Sequence, residues 1–233
     1  MPNISVTSYA RINVRQRSYA LIAINNYMKF VSKLEERKRI LRENSKSSSE
    51  SREFYDSVSE IERDMDEYGC TSIIYSAMCM EAAAYDVFAV HLGDGFASDH
   101  IDKLDVLSKW MLIIKFIFGA DIDKSGKTYF CLKKLISARN KLVHHKSEQL
   151  PFGDDAIGNM FEKMEKEEKR FINDVELSIK AIVYMSLYIG TIYDGLFGFL
   201  PNFSGDDMSC VLRERVYPAG FEDIISRWRA GFK

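Results

Sequence analysis

Apolar residues recur every three or four positions along most of this chain, a spacing typical of one face of an α-helix. The first long helix is predicted over residues 11–42, with apolar positions at Leu21, Ile24, Met28, Val31 and Leu34. Further helices are predicted over residues 54–91, 102–118, 128–145 and from about 156 onward. With 13 Gly and only 4 Pro in 233 residues, the chain is poor in turn formers. The pattern predicts an all-α fold, an antiparallel helical bundle.

Interruptions in this pattern suggest how the chain is divided. The serine-rich stretch 44–52 (NSKSSSESR) predicts a loop, and Gly69 predicts a break or kink in the second helical region. The last long helix begins amphipathic, with Ile157, Phe161 and Met164 on one face. We predict a bundle over residues 1–200 and an irregular extension over 201–233. Within the extension, short helices are expected at residues 207–216 and 221–229.

Composition narrows the classes of function. The chain is 46% hydrophobic and 28% charged, which is ordinary for a soluble globular protein. Its net charge of −2 argues against bulk attraction to nucleic acid, so contact with a polyanion requires a local basic patch. The end of the first helix is basic, which fits either a solvated, dipole-matched terminus or a phosphate-binding surface.

The apolar run at residues 181–193 is shorter than the roughly 18 residues that a membrane span needs. We therefore expect a buried helix, with no membrane association. The four cysteines are far apart in sequence, so we expect reduced thiols in a cytoplasmic protein.

Arg139 is a charged residue within an apolar helical stripe. At about 100° per residue, its neighbours within about 60° on the predicted helix are apolar. These neighbours are Leu132, Leu135, Ile136, Leu142 and Val143. A buried guanidinium without a partner costs several kcal/mol, so Arg139 requires an anion or a wet cavity.

Glu81 has the complementary position on the helix predicted over residues 71–91. Its neighbours within about 60° are Ile74, Ala77, Met78, Tyr85 and Phe88. We therefore expect Glu81 to meet Arg139 across the helix pair. The pair would either fix the helix register or hold Arg139 so that part of it faces a cleft. Both interpretations require contact between the two helices.

Asn140 and His144 follow Arg139 on the same helix. They form an i, i+4 pair, about 100° and 140° from Arg139. His144 is therefore the better candidate for chemistry shared with Arg139, while His145 points away. The two histidines and Lys146 also fit a simple cationic helix end. No histidine pair or cysteine has the spacing of metal ligands, so no metal site is expected.

The sequence from Arg139 to His144, RNKLVH, resembles the Arg-x(4–6)-His motif of the HEPN superfamily, which has a polar residue after the arginine. The superfamily is named for nucleotide-binding domains of higher eukaryotes and prokaryotes. Its fold is a small helical bundle with the motif near the end of a late helix. The upstream segments SAMCMEAAAYDVF and DKLDVLSKW extend the resemblance, which covers about residues 71–198.

This resemblance implies a metal-independent ribonuclease for many members, often in toxin–antitoxin or phage-defence systems. For other members it implies a non-catalytic RNA- or nucleotide-binding module. Cleavage by the RNA's own 2′-hydroxyl requires a base, an acid and a cation at the phosphate. One His144 cannot easily act on both sides of the phosphate, whereas two copies across a twofold axis can. The family likewise pairs its motifs at a dimer cleft.

We therefore expect a homodimer in which both Arg139 and both His144 side chains face a shared groove, with Asn140 orienting His144 or contacting phosphate. Lys141, His145 and Lys146 would supply outer phosphate contacts, and Glu81 would support the site. RNA or a nucleotide would be the ligand, with no cofactor, and an antitoxin or regulatory protein is an expected partner. The alternatives are a module that binds RNA or a protein partner without cutting, and a structural protein in which Arg139 and Glu81 form only an ion pair.

Overall fold

The structure, a computed structural model, describes residues 14–44, 52–144, 156–193, 200–203 and 217–232. The α-helices in these residues are α1 Val14–Asn44, α2 Arg52–Leu92, α3 Asp94–Phe96, α4 Val106–Leu112, α5 Lys127–Val143, α6 Ala156–Ile192 and α7 Phe221–Ala230. Two π-helical turns, Ala97–Ile101 and Ile113–Ile117, follow α3 and α4. The predicted all-α bundle is confirmed.

Four long helices, α1, α2, α5 and α6, build the bundle. The first two are antiparallel, because Lys33 pairs with Asp64 at 3.2 Å near one end while Ser72 donates to the Ala23 carbonyl at 3.1 Å further along. Helix α6 contacts the other three long helices. The core therefore lies around the apolar halves of α2 and α6, which include Met80, Ala83, Ala84, Val87, Val175, Ile179, Ile182 and Met185.

The buried face of α1 differs from the apolar stripe predicted for it. Its buried residues are Ala20, Ala23, Ile24, Tyr27 and Phe30. Leu21, which the apolar spacing placed on this face, is exposed. The alanines let α1 approach α2 closely, whereas a leucine stripe would hold the two helices further apart.

Gly69 does not break α2, so the predicted interruption is wrong. The helix runs without a break from Arg52 to Leu92. A Cβ added at Gly69 would lie 2.5 Å from Phe171 Cζ and 3.0 Å from Val175 Cγ2. The glycine therefore serves close packing between α2 and α6 rather than a bend.

The third predicted helix begins later than expected. Its N-cap is Asp105 rather than a residue near 102, because the Asp105 carboxylate accepts the Ser108 backbone N–H at 3.0 Å. Trp110 anchors this helix on α2 by donating its indole N–H to the Met80 carbonyl at 3.0 Å.

Helix α7 confirms the helix predicted at residues 221–229, whereas the one predicted at 207–216 lies outside the described residues. Phe221 and Ile225 are buried in the bundle core. Trp228 contacts the ring of Tyr27, with centroids 6.0 Å apart. The described end of the chain thus packs against α1 and the bundle core.

Helices α2 and α6 each contain a window long and apolar enough to cross a membrane by composition, with a mean hydropathy of 1.4. Most of each window, 61%, is buried within the bundle. Core helices of soluble proteins share this composition, so the windows are weak evidence for a membrane span.

We expect Gly69→Ala to lower the free energy of unfolding by about 1–3 kcal/mol, because the new methyl group overlaps the Phe171 ring. Urea denaturation measures this change. Gly190→Ala on α6 is the matched control, since an added Cβ there meets no atom within 4 Å, and it should be neutral or stabilising. An equal effect of both substitutions would contradict close packing at Gly69.

Candidate functional site

Helix α5 carries the motif and ends within it. Its core face buries Thr128, Cys131, Leu132, Leu135 and Ala138. The helix ends at Val143, and His144 leaves the helical conformation with φ −114° and ψ 36°. The His144 backbone N–H still donates to the Asn140 carbonyl at 2.9 Å. His144 therefore lies at the exposed C-terminal end of α5.

Arg139 is half-buried and lies at the edge of the core face of α5, rather than in its middle as predicted. Val143, one of its predicted apolar neighbours, is 51% exposed. Arg139 lines a cleft of about 210 Å³ between α2, α5 and the start of α4. The polar lining residues are Glu81, Asp105, Arg139 and Asn140. Ala77, Val106 and Ile136 form the apolar walls. The structure thus brings together three of the predicted site residues and adds Asp105.

Glu81 pairs with Lys109 rather than with Arg139. Lys109 is fully buried, with 0% of its side chain exposed. Its Nζ lies 3.5 Å from Glu81 Oε1 and 3.5 Å from Asp102 Oδ1. The two carboxylates compensate a charge that would otherwise be isolated in the core.

The Arg139 guanidinium instead donates from Nη1 to Asn140 Oδ1 at 3.0 Å. Within the described ranges, no carboxylate forms an ion pair with Arg139. The predicted Glu81–Arg139 ion pair is therefore wrong, although the predicted contact between α2 and α5 is confirmed. Because Glu81 pairs with Lys109, no ion pair within the described ranges compensates the Arg139 guanidinium at the edge of the cleft.

Asp105 is the second carboxylate of the cleft. Its Oδ2 accepts the Ser108 hydroxyl at 2.5 Å and its Oδ1 accepts the Ser108 backbone N–H at 3.0 Å. These hydrogen bonds favour the ionised form, so they hold the pKa of Asp105 below its usual value. The cleft therefore contains the ionised Asp105 carboxylate beside the Arg139 guanidinium.

His144 does not line this cleft. It lies about 140° around α5 and about 7.5 Å along its axis from Arg139. It shares the outer face of α5 with Lys141, which is also exposed. His145 and Lys146, the remaining predicted phosphate contacts, lie outside the described residues.

The outer face of α5 is basic. It consists of Phe130, Lys133, Lys134, Lys141 and His144, all within about 50° of one direction. Lys134 Nζ lies 5.5 Å from the centre of the Phe130 ring. Helix α5 as a whole has five basic residues and no acidic residue. Among the described residues, none of the three lysines of this face forms an ion pair.

Three cations of the basic end of α1, the other candidate phosphate surface, form ion pairs with carboxylates. Lys33, Arg37 and Lys38 lie 3.2, 2.6 and 2.7 Å from carboxylate oxygens. Lys29 instead lies over the Tyr68 ring. Local carboxylates thus reduce the attraction of α1 for an external polyanion.

Cys131, on the core face of α5, does not fit the role of a nucleophile. Burial raises the pKa of its thiol to about 11. The reactive thiolate form is therefore scarce at neutral pH.

Sequence reasoning missed Lys109, although the helical period contains its signal. Taking Val106 as zero, Lys109 lies at about −60° and Trp110 at about +40° on the helix. The same test that singled out Arg139 would have placed Lys109 in a buried stripe. Asp105 is also recognisable as an N-cap, because aspartate is a preferred N-cap residue and an apolar helical segment follows it.

We expect Glu81→Gln to lower the free energy of unfolding by about 1–3 kcal/mol, because it removes one of the two carboxylate charges that compensate the buried Lys109. Urea denaturation of a double-mutant set tests the pairing. The cost should largely disappear in a Lys109→Met background and persist in an Arg139→Gln background. A cost that disappears only in the Arg139→Gln background would show that Glu81 pairs with Arg139 instead.

A scan against protein-family models, a search of curated proteins and a search of solved structures find no match to this chain. The resemblance to the HEPN superfamily therefore rests on the residues of the motif and its flanking helices.

Proposed function

We propose that this chain acts on RNA as a metal-independent endoribonuclease, using the end of α5 as its phosphate-binding surface. The observation that supports this most directly is the charge of α5, which has five basic and no acidic residues in a chain of net charge −2. Lysines without local carboxylate partners attract phosphates more strongly than lysines in ion pairs. The imidazole of His144 stands at the end of this basic face.

His144 supplies the proton-transfer group that the reaction requires. A base removes the proton of the RNA 2′-hydroxyl, the 2′-oxygen forms a bond to phosphorus, and the bond from phosphorus to the 5′-oxygen breaks. An acid donates a proton to the departing 5′-oxygen. The products are a 2′,3′-cyclic phosphate and a 5′-hydroxyl, and imidazole can serve as either base or acid.

Arg139 supplies the cation for the phosphate in this proposal. Its guanidinium is held by Asn140 rather than by a carboxylate in the described part of the chain. The Nη1 contact with Asn140 leaves the other guanidinium N–H groups for a bidentate phosphate contact. Asn140 therefore positions Arg139, rather than orienting His144.

One His144 cannot act on both sides of the phosphate, and the separation of Arg139 and His144 on α5 is a second reason for a homodimer. Within one copy, the two side chains leave the helix about 140° apart. A twofold-related copy can bring its own His144 to the far side of a phosphate held by Arg139. Such a dimer provides a base on one side of the phosphorus and an acid on the other.

The same separation also favours a second candidate function. His144 does not line the cleft that contains Arg139. A protein that holds RNA on the outer face of α5 without cutting it needs only the lysines and Phe130, because aromatic stacking and phosphate contacts suffice for binding.

Purified protein in excess chelator should cleave a mixed RNA pool to 2′,3′-cyclic phosphate ends. His144→Ala should reduce the cleavage rate by about 100-fold or more, because it removes general acid–base catalysis. Mapping of product ends measures both. His100→Ala is the matched control, since His100 is exposed on a different segment. Binding without cutting by the folded wild type would establish the second candidate.

The double substitution Lys133→Ala/Lys134→Ala should weaken RNA binding about equally for all sequences. The slope of log affinity against log salt concentration should fall by about 0.7 for each lost phosphate contact. Fluorescence anisotropy over a salt series measures this slope. Lys166→Ala/Lys169→Ala removes the same charge from α6, where both lysines pair with glutamates. An equal loss in that control would exclude a specific role for α5.

A further inference from the structure

The first turns of α6 expose large apolar side chains. Ile157, Phe161 and Met164 are 69%, 62% and 59% exposed, and their spacing of four and three residues places them on one helix face. The same face continues to Phe171, which packs edge-on against Phe30 of α1 with ring centroids 6.0 Å apart. The predicted amphipathic stripe is thus covered by the bundle only from about Phe171 onward.

This face forms one wall of a groove of about 590 Å³ between α2 and α6. The apolar residues that line the groove are Met65, Phe161, Met164, Phe171 and Ile172. We refer to it as the acidic groove, because its polar residues are mainly carboxylates. From Ile157 to Phe171 the exposed face of α6 is about 21 Å long, the length of a helix of about 14 residues.

The charges of the acidic groove are unbalanced. Its carboxylates are Glu62, Asp66, Glu165, Glu167 and Glu168, against the two guanidinium groups of Arg37 and Arg170. Both arginines are already paired within the chain, Arg37 with Glu62 and Glu168 and Arg170 with Glu167. Lys169, beside the groove, pairs with Glu165, so five lining carboxylates face three cations and Asp66 is the one without an ion pair among the described residues.

The pKa of the Asp66 carboxyl reflects the negative electrostatic potential of the acidic groove. Partial burial, together with the neighbouring Glu62 and Glu168, raises the pKa of its carboxyl. The site therefore resists a further negative charge and is favourable for a cation.

These features distinguish between two occupants. A second copy placed by a twofold axis would bring the same carboxylates against each other, and like charges at an interface are unfavourable. An amphipathic helix with cations beside its apolar face would cover Phe161 and Met164 and compensate the carboxylates at once.

We propose that the acidic groove binds an amphipathic helix of a partner protein, with lysine or arginine flanking the apolar face of that helix. The proposal is independent of RNA chemistry on α5, because it uses different residues on a different part of the bundle. Phe161 and Met164 are the apolar anchors, and Asp66, which forms no ion pair among the described residues, contacts a cation of the partner helix.

The test uses a fluorescent 15-residue peptide with leucines at i, i+3, i+4 and i+7 and lysines at the remaining positions. Anisotropy with the full chain should show saturable binding of this peptide and none of its glutamate counterpart. Phe161→Ser should weaken binding at least tenfold. Phe116→Ser is the matched control, because Phe116 is 78% exposed on a π-helical turn outside the groove.

Charge reversal gives a second, independent comparison. Asp66→Lys should weaken binding of the lysine peptide at least tenfold and permit binding of the glutamate peptide. Glu67→Lys changes the net charge equally, but Glu67 does not line the groove, so it should have little effect.

Three results would overturn the proposal. The first is absence of saturable binding of the lysine peptide by the folded wild type. The second is equal loss of binding in Phe161→Ser and Phe116→Ser. The third is a wild-type dimer that Phe161→Ser alone converts to monomer in light scattering, because a second copy would then occupy the groove.

Discussion

The contact between Gly69 and Phe171 determines how closely α2 and α6 can lie, and the rest of the bundle is arranged around these two helices. The Phe171 ring occupies the space that a Cβ on residue 69 would fill, and its edge also packs against Phe30. This one ring therefore joins α1, α2 and α6. Because α4 is anchored on α2 and α5 packs on α6, the same spacing determines where the cleft beside Arg139 opens.

Charge is distributed unevenly over this framework. Many charges of α1, α2 and α6 are compensated by ion pairs between these helices. Arg37 of α1, for example, links all three helices by pairing with Glu62 of α2 and Glu168 of α6. The basic residues of α5 form no ion pair among the described residues, although Asp174 of α6 is close enough to interact electrostatically with Lys134 and Lys141. The chain thus has one basic helix face and one acidic groove, although its net charge is close to zero. Composition averages these surfaces, so it cannot reveal either of them.

Arg139 and Glu81 show how much of the candidate site can be predicted from the sequence. Helical period correctly brought α2 into contact with α5, but it placed Arg139 in the middle of the buried stripe, whereas the structure places it at the half-buried edge. It could not identify the partner of Glu81, because two cations, Lys109 and Arg139, approach that carboxylate from different helices. The choice depends on the rotation of α4, which Trp110 fixes by its hydrogen bond to the Met80 carbonyl. The RNA chemistry drawn from the motif remains a proposal.

The sequence by itself determined the helices, the apolar halves of α2 and α6, and the position of the motif at the end of α5. These are properties of residues near one another in the chain, where helical geometry alone relates their side chains. Only the tertiary structure decided that Gly69 is a packing site, that Lys109 takes Glu81, and that Phe161 and Met164 stay exposed. Each of these depends on how closely helices distant in sequence approach, which the apolar pattern of a single helix does not specify.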